Sequence, residues 1–190
     1  MKRLVQGSVI RIPLLHDLGY AYAKYINLLK ISNSVSFPEI IKVYDSLTHD
    51  PITHALELNT KTSYLISPIL IAGLRPTLKD EKWVNIGKVD LSEGDTIIPD
   101  FKDNFISDPD LSPSDVYLIK SCSLQNKTLS NQNDTRFLQH FLAEGTGNIE
   151  IKLTMYFLLK DGKNLAEFFD IEGEEKRNYN LVKDAMLISN

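Results

Sequence analysis

A single cysteine, Cys122, in 190 residues excludes an intrachain disulfide and fits a chain that works in a reducing, cytoplasmic compartment. No run approaches the roughly 18 apolar residues of a membrane span. The opening MKRLVQGSVIRIPLL is basic, but Gln6, Gly7, Ser8 and Arg11 interrupt it, so neither secretion nor membrane insertion is expected. Positive charge is not in excess either. Lys and Arg number 21 against 25 Asp and Glu, a net charge of −4, which disfavours nucleic acid as the main partner. The nine glycines are scattered as turn residues. None forms a phosphate-cradling loop before a helix, and no serine sits in a G-x-S-x-G elbow. Of the histidines, His16, His49, His54 and His140, only His49 and His54 lie close together, and their spacing of five suits neither a helix face nor a zinc site. Cys122 has no histidine beside it and reads as a buried, inert thiol. The expectation is a protein with no catalytic constellation, no cofactor and no metal.

What is present is a β-rich pattern. Residues 7–29, GSVIRIPLLHDLGYAYAKYINLL, read as two strands, 9–14 and 20–29, joined by a turn at His16, Asp17, Leu18 and Gly19. Tyr20 and Tyr22 fall on one face and Tyr25 on the other; cross-strand packing is the preferred role, ring stacking the alternative. A third strand is expected at 40–44. The apolar run 64–72 contains Pro68, which restricts it to an edge, a bulge or two short strands. Residues 82–88, KWVNIGK, give another strand with Trp83 as aromatic anchor.

Residues 90–113 read as an acidic loop with a short strand at Ile97 and Ile98. Ser112 opens either a helix or, through VYLIK, a strand. Asp134 can cap a helix over 135–143, ended by Gly145. The alternation of Ile149, Ile151, Leu153, Met155, Phe157 and Leu159 predicts a strand, with a helix as the alternative because residues 149, 153, 156 and 157 share a helical face. A turn follows at Asp161 and Gly162, and residues 180–188 form a short helix. The expected fold is α+β and β-rich, a twisted, mostly antiparallel sheet or partly open barrel with one or two C-terminal helices. One domain, 1–190, is expected, with a β core over 7–102 and an extension over 103–190 packed on it.

Charge is unevenly spread. Residues 1–88 carry eleven basic and seven acidic side chains, residues 89–190 ten and eighteen. The densest stretch holds Asp90, Glu93, Asp95, Asp100, Asp103, Asp108, Asp110 and Asp115 against Lys102 alone. Such a run is a solvated surface or a patch for a partner.

GSVIRIPLLHDLGYAYAKYI, with Gly7, Ile12, Pro13, Gly19 and Tyr20, and the later KWVNIGKVDL, with Trp83 and Gly87, resemble the immunity protein 26 family of bacterial polymorphic-toxin systems over about residues 7–102. The resemblance implies a cytoplasmic, non-enzymatic protein that binds and neutralises a cognate protein toxin encoded beside it. If the toxin is a nuclease, the acidic patch Asp90, Glu93, Asp95, Asp100, Asp103, Asp108 and Asp110 would steer association with its basic substrate channel. Two rival readings stay open. One is a β-barrel adaptor or ligand-binding module, touching nucleic acid through Arg11, Tyr20, Tyr22 and Lys24. The other is an enzyme whose site assembles from residues far apart in sequence.

Overall fold

The structure, a computed structural model, describes residues 3–58, 63–103, 112 and 114–186. Its first sheet contains β1 (Ser8–Pro13), β2 (Tyr20–Asn27), β3 (Glu39–Thr48), the two-residue β4 (Ile69–Leu70) and β5 (Val84–Lys88). All neighbours are antiparallel and the order is β4-β3-β2-β1-β5. Between β4 and β5 runs α1 (Leu74–Lys79). A second antiparallel sheet, in the order β6-β7-β8, is made by β6 (Phe101–Asp103), β7 (Asp115–Ile119) and β8 (Lys127–Asn131). The four-residue α2 (Gln132–Thr135) follows, then α3 (Thr146–Lys160) and α4 (Lys176–Met186). The fold is therefore α+β with open antiparallel sheets, and neither sheet closes into a barrel.

Alternation along the strands divides the interior. Ile10, Ile12, Ala21, Ala23, Tyr25, Ile41 and Val43 form one cluster with Trp83 and with Ile149, Leu153, Tyr156, Phe157 and Val182 of α3 and α4. On the opposite face Val9, Tyr22 and Tyr44 pack with Ala55, Leu58 and Ile86, and Tyr20 lies against them. Tyr22 and Tyr25 are thus core residues on opposite faces, as their spacing requires. A third cluster of Ile26, Leu28, Ile40, Leu70, Phe101, Ile119, Cys122 and Phe141 joins the two sheets. Burial pushes the Cys122 thiol pKa up, against a weak contact with the Phe37 carbonyl.

Two glycines of the opening stretch are required by close backbone approach. A Cβ at Gly7, where φ is +79°, would lie 2.3 Å from the Val89 carbonyl oxygen; one at Gly19, where φ is +113°, would lie 2.2 Å from that of Thr48. Gly19 also closes the hairpin, its carbonyl accepting from the Leu14 amide at 2.9 Å. Pro13 pairs with Tyr20 at the hairpin end, and Gly87 sits where the β1–β5 register shifts.

Four expectations need correction. Residues 149–159 are helical within α3, and the alternative is the right one. Ile149, Leu153, Tyr156 and Phe157 are all at most 3% exposed, and so are Lys152, Thr154, Met155 and Leu158. A segment buried on nearly every side loses the contrast that distinguishes a period of two from one of 3.6. Burying such side chains contributes about 1.5–3 kcal/mol each, more than the local β preference of Ile and Thr. Gly145 consequently precedes α3 as its N-cap rather than ending a helix.

The helix expected over 135–143 shrinks to α2, capped by Asn131, whose Oδ1 accepts from the Asp134 amide. Beyond it the chain runs alongside β6: the Lys102 amide donates to the Gln139 carbonyl and the Phe141 amide to the Lys102 carbonyl. Phe137 and Leu142 remain exposed while Phe141 is buried, so no continuous apolar helix face forms. No strand forms at Ile97 and Ile98; a 3₁₀ turn, Glu93–Thr96, precedes them and Ile97 is 68% exposed. At Ser112 the strand reading holds, as β7. The 64–72 run divides around Pro68 into a bridge at Tyr64 with Tyr44 and edge strand β4.

Candidate functional site

The acidic segment leaves β5 at Lys88 and crosses the face of the first sheet that carries Tyr22 and Tyr44. Two lysines occupy that face. Lys24 on β2 and Lys42 on β3 are directly opposed in register, and both are buried, 4% and 6% exposed. Like charges so placed repel. Asp95, 0% exposed, offsets that repulsion. Its Oδ2 lies 2.7 Å from Lys24 Nζ and its Oδ1 3.4 Å from Lys42 Nζ.

Further donors complete the arrangement. The Tyr64 hydroxyl donates to Asp95 Oδ1 at 2.8 Å, and the Ser92 amide and hydroxyl each donate to Oδ2 at 2.9 Å. Ser92 and Asp95 thereby form a capping box on the 3₁₀ turn. Lys42 also donates to the Gly94 carbonyl at 2.8 Å. The lysine ammoniums lie over tyrosine rings, Lys24 5.8 Å from Tyr44 and Lys42 5.6 Å from Tyr64. The Tyr44 hydroxyl is buried with no hydrogen-bond partner among the described residues.

Electrostatics follow from this geometry. Burial alone would raise the Asp95 pKa, but hydrogen bonds from Lys24, the Ser92 backbone, Tyr64 and the Ser92 hydroxyl outweigh it and hold the carboxyl far below the usual range. Burial lowers the Lys42 pKa, an effect that Asp95 opposes and Lys24 reinforces. Burial, and then the Asp95 charge, push the Tyr44 hydroxyl pKa well up; for Tyr64 its hydrogen bond to Asp95 adds to the same effect. The cluster holds a fixed carboxylate between two cations. It offers no open coordination position and no base poised towards solvent.

The sequence-predicted acids therefore separate. Asp90 and Glu93 are exposed and Asp100 is half-buried, its Oδ1 accepting from the Ser121 amide at 2.7 Å. Asp95 is wholly buried and Asp103 is 8% exposed, so neither belongs to an exposed face. Asp108 and Asp110 lie outside the described residues. The Lys24 and Tyr22 proposed for nucleic-acid contact are buried in the interior. Arg11 donates to the Ile52 carbonyl at 3.2 Å and lies over the half-buried Tyr20 ring. Trp83 is fully buried, and its Nε1 donates to Glu150 Oε1 of α3 at 2.6 Å.

Sequence reasoning missed Lys42, Tyr64 and Ser92, and gave Lys24 a surface role in place of its buried one. The signals were a lysine in each of two otherwise apolar strands, and the Ser92-x-x-Asp95 spacing of a capping box. Among the described residues no group of three or more His, Cys, Asp or Glu side chains could hold a metal ion, and no helix is long and apolar enough to cross a membrane.

The model of the immunity protein 26 family matches residues 5–108, more than half of the chain. The chain belongs to the immunity protein 26 family. The family region covers the whole first sheet, the Asp95 cluster and β6, whereas β7, β8 and helices α2 to α4 follow it. No curated protein and no solved structure matches the chain.

Proposed function

We propose that this member of the immunity protein 26 family acts in the cytoplasm as a non-enzymatic inhibitor, binding and neutralising a toxin encoded beside it. Its contact surface is the segment from Asp90 to Asp100. The carrying observation is family membership, and the Asp95 cluster supplies the physical means. By anchoring 92–95 to the sheet through buried ionic hydrogen bonds, it presents Asp90 and Glu93 on a braced segment rather than a free loop. Bracing reduces the ordering cost of association, and exposed carboxylates attract a basic partner surface. A nuclease toxin, whose substrate channel is basic, suits such a face. The test is complex formation between the full chain and the toxin domain encoded by the adjacent gene, followed by size-exclusion chromatography. A stoichiometric complex and loss of toxin activity are expected; no complex at micromolar concentrations would overturn the proposal.

A further inference from the structure

The outer strands of the two sheets are not treated alike. At β4 the Ala72 amide donates to the Glu144 carbonyl and the Glu144 amide to the Leu70 carbonyl, both at 2.9 Å, so residue 144 covers that edge. Residues 139–141 cover β6 in the same way, and β5 is buried at Asn85 and Ile86. At β8, Lys127, Thr128 and Leu129 are exposed, Leu129 at 60%. Among the described residues no backbone hydrogen bond reaches the outer side of Lys127 or Leu129.

The direction of the β8 polar groups follows from one bond. The Gln132 amide donates to the Ser114 carbonyl at 2.9 Å, and the same register with β7 sets Val116 against Ser130 and Leu118 against Thr128. Hydrogen-bonded and non-hydrogen-bonded pairs alternate along an antiparallel ladder. Thr128 and Ser130 therefore turn their N–H and C=O groups towards β7, and Lys127, Leu129 and Asn131 turn theirs outward. The Leu129 side chain shares a face with Tyr117, its partner across the ladder, and with Phe101 and Ile119 of the core. It extends that apolar row to the edge of the sheet. Exposed edges are commonly guarded by projecting lysines. Here the Lys127 ammonium folds back over the Tyr117 ring, 4.7 Å from its centre, and the middle of the edge is a leucine.

We infer that β8 pairs antiparallel with β8 of a second copy of this chain, across a two-fold axis at Leu129, so that the two three-stranded sheets become one continuous sheet. The strand is self-complementary about that point. Leu129 meets Leu129, Thr128 meets Ser130, and Lys127, the one charged residue of β8, meets neutral Asn131, so no like charges are opposed. The Leu129 amide and carbonyl bond to the carbonyl and amide of the other Leu129. Each Asn131 amide bonds to the Lys127 carbonyl across from it, while the Asn131 carbonyl already accepts from the Thr135 hydroxyl. Pairing along a five-residue strand buries less than the roughly 1,200 Å² of a standard interface, which makes the dimer reversible. This surface lies beyond the family region and does not rest on toxin binding.

Sedimentation velocity of the full chain between about 1 and 500 µM tests it, with a Kd of roughly 10–100 µM expected. The mass should rise with concentration from the 21.6 kDa monomer towards twice that value. Leu129→Lys replaces an exposed side chain and sets two charges against each other at the axis; it should fold, as circular dichroism can verify, and weaken dimerisation by about tenfold or more. Leu129→Cys reads the register. Across the axis the two α-carbons stand about 5.5 Å apart, within disulfide reach, so oxidised glutathione should link the copies. Leu56→Cys, also exposed but beside Ala55 and Leu58 on the first sheet, should link far more slowly. A monomer at every concentration, a dimer unaffected by Leu129→Lys, or equal linking of the two cysteine variants would overturn the inference. A monomeric chain whose complex with the toxin domain is weakened by Leu129→Lys would assign the edge to the toxin and overturn it as well.

Discussion

Lys24 and Lys42 stand directly opposite each other on adjacent strands, buried in the face of a sheet. Both are bound by one carboxylate that arrives from a segment some fifty residues further along the chain. Removing that carboxylate leaves two buried ammoniums facing each other. Asp95→Asn is therefore expected to destabilise the protein by about 3–5 kcal/mol, read as a lower urea midpoint. Adding Lys24→Met and Lys42→Met to Asp95→Asn should recover part of that loss. A midpoint unchanged by Asp95→Asn would show that the cluster is not what anchors the segment.

Acid sensitivity has two sources with different windows. Asp95 has a folded-state pKa below its unfolded value. Its contribution is present above the ordinary carboxylate pKa of about 3.9 and is lost as pH falls through the folded value. His140, at about 4 in the folded state, takes up a proton more readily when unfolded, where its pKa is about 6.5. Its effect is a stability decline that begins as pH drops below about 6.5 and ends near the folded value. Thermal unfolding from pH 7.5 to 3.5 should show the His140 phase, which His140→Gln should remove, and extending the series below pH 3 should add the Asp95 phase, which His140→Gln should leave in place.

Gly19→Ala should cost at least about 2 kcal/mol, because the new Cβ meets the Thr48 carbonyl in a left-handed conformation. Gly147→Ala is the control, since a Cβ there meets nothing within 4 Å, and it should be neutral or mildly stabilising. Comparable losses in the two variants, measured by urea unfolding, would contradict this account of the hairpin.

Trp83 ties the sheet to α3 through Glu150. Trp83→Phe should lose about 2–3 kcal/mol from the smaller ring and the missing donor. Glu150→Leu should cost less, about 1–2 kcal/mol, since it leaves only the indole N–H unpaired. Chemical denaturation followed by circular dichroism checks both without relying on tryptophan fluorescence.

The first sheet was legible because its strands alternate and its turns carry Gly and Asp: Val9 against Ile10, Tyr22 against Ala23, and Gly19 at the bend. Long segments buried all round were not, and α3 is the clear case. There Lys152 and Thr154 look like a polar strand face, but both are buried, Lys152 by pairing with Glu144 and Thr154 by donating to the Glu150 carbonyl. The acidic run was visible as composition. Its division was not, because the neutralising Lys24 and Lys42 lie on strands far away in sequence. Asp95 was read with the surface acids although Ser92-x-x-Asp95 has the spacing of a capping box, while the exposure of Asp90 and Glu93 follows only from the folded path.

The central claim is that the exposed acids of the Asp95-braced segment draw in the toxin. The most direct measurement is the association rate between the full chain and the toxin domain as a function of ionic strength, for the natural protein and for Asp90→Gln/Glu93→Gln. The account predicts a rate that falls steeply with salt for the natural protein, and a variant roughly tenfold slower at low salt with a flatter dependence. Identical rates and identical salt slopes for the two proteins would contradict it.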